Sequence, residues 1–338
     1  MKISNDKKES IILYILEKIQ DKCESLSQTV SETFQINQNT VHRYINELAE
    51  KGIIKRIKRG EYALIYTVDS YTVKRDSAHF SSDTYPYENF LKEYISDFSQ
   101  NVQDIWSYTM SEMVNNVIDH SESELMNIAV FQNYLKTTVV IDDNGIGIFK
   151  KIKEHFDFPT IDDAICELFK GKLTTNTSRH SGEGIFFSSR LMDTFEIYSD
   201  GKHFAINRLD AWELHDWDSA IDKKGTTVIM SLSNRSSKQL CDIFNTYSNI
   251  AGGFSKTVIP LRYVFESSPV SRSQAKRVCA RLNEFKEVEI DFSGIEWVGQ
   301  AFMHELFSVF LKSHNNIKLI PVKMNEMCEN MYLHVINS

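Results

Sequence analysis

Residues 138–148 read Thr-Val-Val-Ile-Asp-Asp-Asn-Gly-Ile-Gly-Ile, an apolar run that meets an acid and two glycines. The β-branched run spells a buried strand, and the Asp-Asn-Gly that ends it turns the backbone sharply. Such a strand needs a sheet beside it and helices above it, which places an α/β layer in the middle of the chain. Three further segments stand around it in a fixed order. Upstream, Ser111-Glu-Met-Val-Asn-Asn-Val-Ile-Asp-His-Ser121 sets Glu112, Asn116 and His120 four residues apart on one helix face, with Met113, Val114, Val117 and Ile118 on the buried one. Downstream, Arg179-His-Ser-Gly-Glu-Gly-Ile-Phe-Phe-Ser-Ser-Arg190 opens a helix with Gly182 and Gly184, whose bare amides suit anionic oxygens. Last, Gly225-Thr-Thr-Val-Ile-Met-Ser-Leu leads a turn into a strand. Each segment alone has a plain structural explanation, such as a solvated helix face or a Gly-rich turn. Their order and element types together predict one pocket.

The four segments resemble the nucleotide motifs of the GHKL family of ATPases and kinases, over about 145 residues. The Glu-xxx-Asn helix is similar to the family's N-box, and the His four residues later is similar to the version in bacterial anti-sigma-factor serine kinases. The resemblance implies an α/β sandwich, a mixed sheet with helices on one face, binding ATP and Mg²⁺. It assigns Glu112 to polarising the attacking water or hydroxyl and Asn116 to the Mg²⁺ ion, as a hard oxygen ligand. Asp143 would accept a hydrogen bond from the adenine amino group, which discriminates against guanine. Gly145 and Gly147 turn the backbone beneath the base, Gly182 and Gly184 hold phosphates, and Thr226 sits near the adenine. Residues 149–181, with Lys172, Thr174–Ser178 and Arg179, correspond to the family's ATP lid; Lys172 and Arg179 are candidates to reach the γ-phosphate. His180 stands where family members often carry another Gly. No GxxxxGK[ST] P-loop occurs.

Residues 1–68 read as three helices and a hairpin. Ile11, Ile12, Ile15, Leu16 and Ile19 repeat at helical spacing, Ser25–Phe34 gives a second helix, and Gln38–Gly52 a third with Val41, Ile45 and Leu48 inward. Two β-rich runs, 53–57 and 62–68, flank a basic tip at Lys58-Arg-Gly-Glu61. This resembles a winged helix-turn-helix. The resemblance implies DNA contact, with Thr40, His42 and Arg43 at base edges and Lys55, Arg56, Lys58 and Arg59 on phosphates. The bland alternative is a helical domain for protein contacts or dimerisation. The charge distribution leans the same way as the resemblance. Residues 1–70 hold eleven Lys and Arg against ten Asp and Glu, whereas the chain as a whole carries -8.

Residues 69–88 and 236–253 are expected to be linkers around a central domain at 89–235. Residues 254–338 alternate strands (257–265, 288–292, 317–320) with helices (271–285, 299–313, and a terminal one). Within them Glu289-Ile-Asp-Phe-Ser-Gly-Ile-Glu-Trp-Val-Gly-Gln-Ala-Phe302 resembles the strand-loop-helix of STAS domains of the anti-anti-sigma type. In regulated members that helix opens with Asp-Ser, the Ser being phosphorylated; Gly299-Gln300 stands there instead. Five dispersed cysteines without a CxxC pair predict neither disulfide framework nor zinc site. No apolar run reaches the ~20 residues that span a bilayer, and a cytoplasmic location is expected.

Three functions fit this reading. One is an ATP-controlled, ATP-hydrolysing regulator whose nucleotide state changes DNA or partner binding, with homodimerisation a possible element. Another is an anti-sigma-type serine kinase acting on a separate protein. The last is a non-hydrolysing, ATP-dependent scaffold that senses a partner through its C-terminal module.

Overall fold

Helix starts in the N-terminal module are written in its polar residues. In the computed structural model, Ser4 caps α1 (Asn5–Gln20) by accepting from the Lys7 amide at 3.3 Å, and Asn37 caps α3 (Gln38–Glu50) by accepting from the Asn39 amide at 2.8 Å. Between them lies α2 (Leu26–Phe34). Ile11, Ile15, Val30, Val41, Ile45 and Leu48 form the core of this bundle. A hairpin follows, β1 (Ile54–Lys58) and β2 (Glu61–Leu64). The structure describes residues 4–173, 182–206, 212–216, 224–249, 253–265 and 267–337.

The expected strand at 62–68 and linker at 69–88 are both corrected. The hairpin stops at Leu64, and after Ile65 and Tyr66 the chain enters β3 (Thr67–Lys74), an edge strand of the central sheet. Only Val73 of β3 is fully buried and Tyr71 half so. An edge strand needs few inward apolar residues, so its polar composition reads as linker. Beyond it, Tyr87, Phe90 and Leu91 are buried in a helical turn (Tyr87–Leu91) that continues as α4 (Lys92–Ile95).

The central module then runs α5 (Gln100–Asn116), a π-type turn (Val117–Ser121), β4 (Leu125–Gln132) and β5 (Lys136–Asp143). Next come α6 (Ile148–His155), α7 (Ile161–Lys170) and α8 (Gly184–Leu191). The remaining strands are β6 (Thr194–Ser199), β7 (Lys202–Ile206), β8 (Trp212–Asp216) and β9 (Thr226–Ser233). Seven strands form one sheet in the order β3-β4-β5-β9-β6-β7-β8. Met126, Ile128, Val130, Val139 and Ile141 point into the helix-covered core, while Asn127 and Phe131 on the other face are exposed. The expectation of a mixed sheet is corrected: every ladder is antiparallel. The helical crossover from β5 to β6 does return the chain parallel, but β9 inserts between the two and pairs antiparallel with both.

The expected linker at 236–253 instead holds α9 (Leu240–Tyr247) and a short pair, β10 (Ser248–Asn249) with β11 (Gly253–Phe254). Phe244 and Tyr247 anchor it, stacking on Phe187 at 4.1 Å and meeting Phe186 edge-on at 5.0 Å between ring centroids. The C-terminal module has β12 (Lys256–Pro260), α10 (Leu261–Val264), α11 (Arg272–Cys279), β13 (Glu287–Asp291), α12 (Gln300–His304), α13 (Leu311–Ser313), β14 (Lys318–Val322) and α14 (Glu326–Ile336). Strands β12, β13 and β14 lie parallel in that order. The strand expected at 257–265 ends at Pro260. The helix expected at 271–285 ends at Cys279, where Ala280 leaves the helical region (ψ 130°) and Arg281 follows in the left-handed one (φ 57°). Among the described residues, no helix is long and apolar enough to cross a membrane.

Candidate functional site

The end of α5, the turn after β5, the start of α8 and the start of β9 meet around one cavity. Its room for water centres is about 180 Å³, against roughly 10–15 Å³ for a single water. Glu112, Asn116, His120, Asp143, Gly147 and Thr226 line it, with Gly182 and Gly184 at the α8 side. Met113, Ile148, Ile152, Ile197 and Val228 supply apolar wall.

Asp143 ends β5 and is buried. The Gly145 amide donates to its Oδ1 at 2.8 Å. Gly145 thus holds the acid from behind and does not itself line the cavity. Asp143 is boxed closely: a Cβ at Gly225 (φ 94°) would stand 2.8 Å from its Oδ1 and 2.1 Å from its backbone carbonyl oxygen. On the α5 side, a Cβ at Gly184 would stand 2.1 Å from Glu112 Oε2, so glycine lets α8 begin against that carboxylate without moving it. Burial raises the pKa of the neighbouring Tyr108 phenol, and the Glu112 and Glu183 charges add to it. Asn116 is the last residue of α5, its Nδ2 turned to Met113 Sδ at 3.9 Å. From there the helix widens into the π-type turn that carries His120 and Ser121 into the lining.

Thr226 has a second task. Its Oγ1 accepts from the Ile148 amide at 3.1 Å, as does Ser199 Oγ at 3.1 Å. Asp200 Oδ2 accepts from the Lys150 amide at 2.9 Å. Together they cap α6, which begins after Gly147. Ser199 and Asp200 escaped the sequence reading. Their only signal is a Ser-Asp-Gly turn after an alternating strand, which many hairpins carry. Lys151 also escaped it. It lines the cavity, donating to the His120 carbonyl at 2.7 Å and pairing with Glu122 at 3.4 Å.

One expected contact is corrected. Lys172 turns away from the pocket: its Nζ donates to the Glu284 carbonyl at 2.6 Å and lies 5.0 Å from the Phe285 ring centroid. The Glu284 carbonyl and this cation–π seat hold it on the C-terminal module against the burial that lowers its pKa. Thr174–Ser178, Arg179 and His180 lie outside the described residues.

The N-terminal candidates form a separate, solvent-facing group. His42, Arg43, Lys55, Arg56, Lys58 and Arg59 are exposed, and Thr40 is half-buried. Lys58 pairs with Glu61 at 2.7 Å across the hairpin tip, and Arg43 lies over the Tyr44 ring at 5.2 Å. Among the described residues, no three His, Cys, Asp or Glu side chains gather as a metal cluster.

The sequence profile of the STAS-like domain of unknown function (DUF4325) matches residues 274–329. That stretch, from within α11 into α14, is therefore STAS-like. No curated protein matches the chain.

Proposed function

We propose that this chain binds ATP with Mg²⁺ in the central cavity, as a GHKL-type domain, and that nucleotide state governs its contacts with DNA or a protein partner. The observation that carries the reading is convergence. Glu112, Asn116, Asp143, Gly182, Gly184 and Thr226 come from four segments spread over 115 positions, and all face one cavity. In this reading Asp143 accepts from the adenine amino group, and Ile148, Ile197 and Val228 enclose the base. The amides opening α8 hold phosphate oxygens. The Asn116 amide oxygen suits Mg²⁺, which takes few protein ligands and relies on phosphates and waters. Bound Mg²⁺ supplies charge neutralisation on those phosphates. Glu112 orients the attacking water and takes its proton. The exposed His42, Arg43 and hairpin cations, with the half-buried Thr40, are the proposed DNA face; a protein partner would meet the STAS-like module.

Calorimetric titration with a non-hydrolysable ATP analogue and Mg²⁺, beside the GTP counterpart, tests the site. Adenine selectivity is expected, with Asp143→Ala weakening binding at least about tenfold. Glu112→Ala is expected to keep binding while lowering phosphate release by about 10²–10⁴-fold. Equal affinity for both bases, or an indifferent Asp143→Ala variant, refutes the reading. DNA affinity that ignores the nucleotide removes the DNA half of it.

A further inference from the structure

Two helices of the pocket wall belong to two cores at once. On their pocket side, α7 presents Leu168 and α8 presents Gly184 and Ile185, with Leu173 between them in the chain. On their far side, Cys166 of α7 and Phe186 and Phe187 of α8 are buried in the core of the C-terminal module, among Phe254, Val278 and Phe285. The wall is also clamped by charge. Lys170, only 2 % exposed, pairs with Glu167 and donates to the carbonyls of Val278 and Ala280 at 3.1 Å each. It thereby caps the carbonyl end of α11. Arg281 reaches back to Glu167 at 3.4 Å and to the Lys172 carbonyl at 2.7 Å, and Arg277 pairs with Asp163. Thr257 at the start of the C-terminal sheet donates to the Lys170 carbonyl at 2.7 Å. Just beyond, Gly182 packs on the Leu173 backbone, so the clamped segment also fixes the glycine that opens the phosphate side.

We propose that the STAS-like module is a built-in regulator of the cavity: docked on α7 and α8, it holds the pocket wall in its binding form, and an occupied pocket holds the module in turn. The proposal rests on the nucleotide reading above. Its physical basis is reciprocity, since whatever factor docking adds to nucleotide affinity, the nucleotide adds to docking. A wall that is pre-formed costs the ligand no ordering, and loosening the clamp restores that cost. A partner that competes for the module's docked face would then lower nucleotide affinity without touching the pocket.

The test uses the full chain. Wild type, Arg281→Ala and Lys318→Ala are titrated with a non-hydrolysable ATP analogue and Mg²⁺. Lys318 lies on the same module with its side chain 69 % exposed and paired with Glu287 at 3.5 Å. Arg281→Ala is expected to weaken binding at least about fivefold, the lower end of common coupling factors, with Lys318→Ala matching wild type. A second measurement needs no variant. Cys166 is buried, which pushes its thiol up to about 12. Its alkylation by iodoacetamide therefore reports opening of the wall, and the analogue is expected to slow it at least about fivefold by the same reciprocity. Unchanged or tighter binding by Arg281→Ala, or a Cys166 rate that ignores the analogue, overturns the proposal. Wild type that binds no adenine nucleotide fails earlier, at the reading of the site, and takes the proposal with it.

Discussion

The two ends of this chain are attached to its centre by different physics. At the N-terminal end only Ile65 and Tyr66 separate the hairpin from β3, and the side-chain contact is small. Tyr134 and Leu135, at the β4–β5 turn, rest half-buried on the N-terminal core. Arg235 adds an ion pair to Glu9 at 3.7 Å. At the C-terminal end the modules share α7 and α8, the packing of Phe186 and Phe187 against Phe244, Tyr247 and Phe254, and a buried lysine. A short covalent tether transmits orientation. A shared core transmits free energy, because packed interiors do not deform gradually. The residues lining the cavity lie between 112 and 228, but the far sides of its α7 and α8 walls are buried in the C-terminal core and not in the N-terminal one; under the proposed nucleotide reading, occupancy would therefore be felt first at the STAS-like end.

The largest expected effect separates the two attachments directly. Phe187→Ala removes a fully buried ring from the shared core and is expected to cost about 3–5 kcal/mol. Tyr134→Ala at the N-terminal contact is expected to cost about 1 kcal/mol. Urea denaturation followed by tryptophan fluorescence measures both, and similar costs would erase the distinction.

A smaller effect tells the C-terminal module's own stability from its docking. Burial pushes the Asp291 carboxyl upward, but hydrogen bonds from Ser293 and Lys323, and the Lys323 charge, outweigh it and hold the group below the ordinary carboxylate range. A depressed folded-state value means the stabilisation is complete above the unfolded carboxylate value of about 4 and is lost as pH falls through the folded one. Lys323→Met is therefore expected to raise the pH of the acid transition while leaving neutral-pH docking, read as Cys166 alkylation, unchanged. An acid transition that stays put contradicts this. The smallest effect is at the other end: Arg235→Ala, removing a half-exposed pair, is expected to change stability by less than about 1 kcal/mol, less still in high salt. A cost above that would mean the N-terminal contact is stronger than its geometry suggests.

What the sequence disclosed follows the same division. The helices of the N-terminal module, and Glu112, Asn116, Asp143, Gly182 and Gly184 among the residues facing the cavity, were legible because local pattern decides them; Lys151 was not. Inward apolar residues at helical spacing mark α1 and α3, and an acid-glycine turn must follow an apolar strand wherever that strand goes. The edge strand β3 was not legible, since its partner β4 lies more than fifty residues away and its own residues are polar. Helix α9 was read as linker because Phe244 and Tyr247 find their packing on Phe187 and Phe186, far back in the chain. Lys172 failed for a related reason. Nothing near it in sequence announces the Phe285 ring and Glu284 carbonyl that claim it. Tertiary partners of that kind also make the clamp around Lys170 invisible to any reading of pattern.

Backbone hydrogen exchange on the full chain, with and without a non-hydrolysable ATP analogue and Mg²⁺, addresses both the pocket and its coupling at once. The account predicts added protection across 112–121 and 143–148, a clear change at α11 (272–279), and little at α3 (38–50). No change around Asp143 and Asn116, or a response at α3 that exceeds the one at α11, would contradict it.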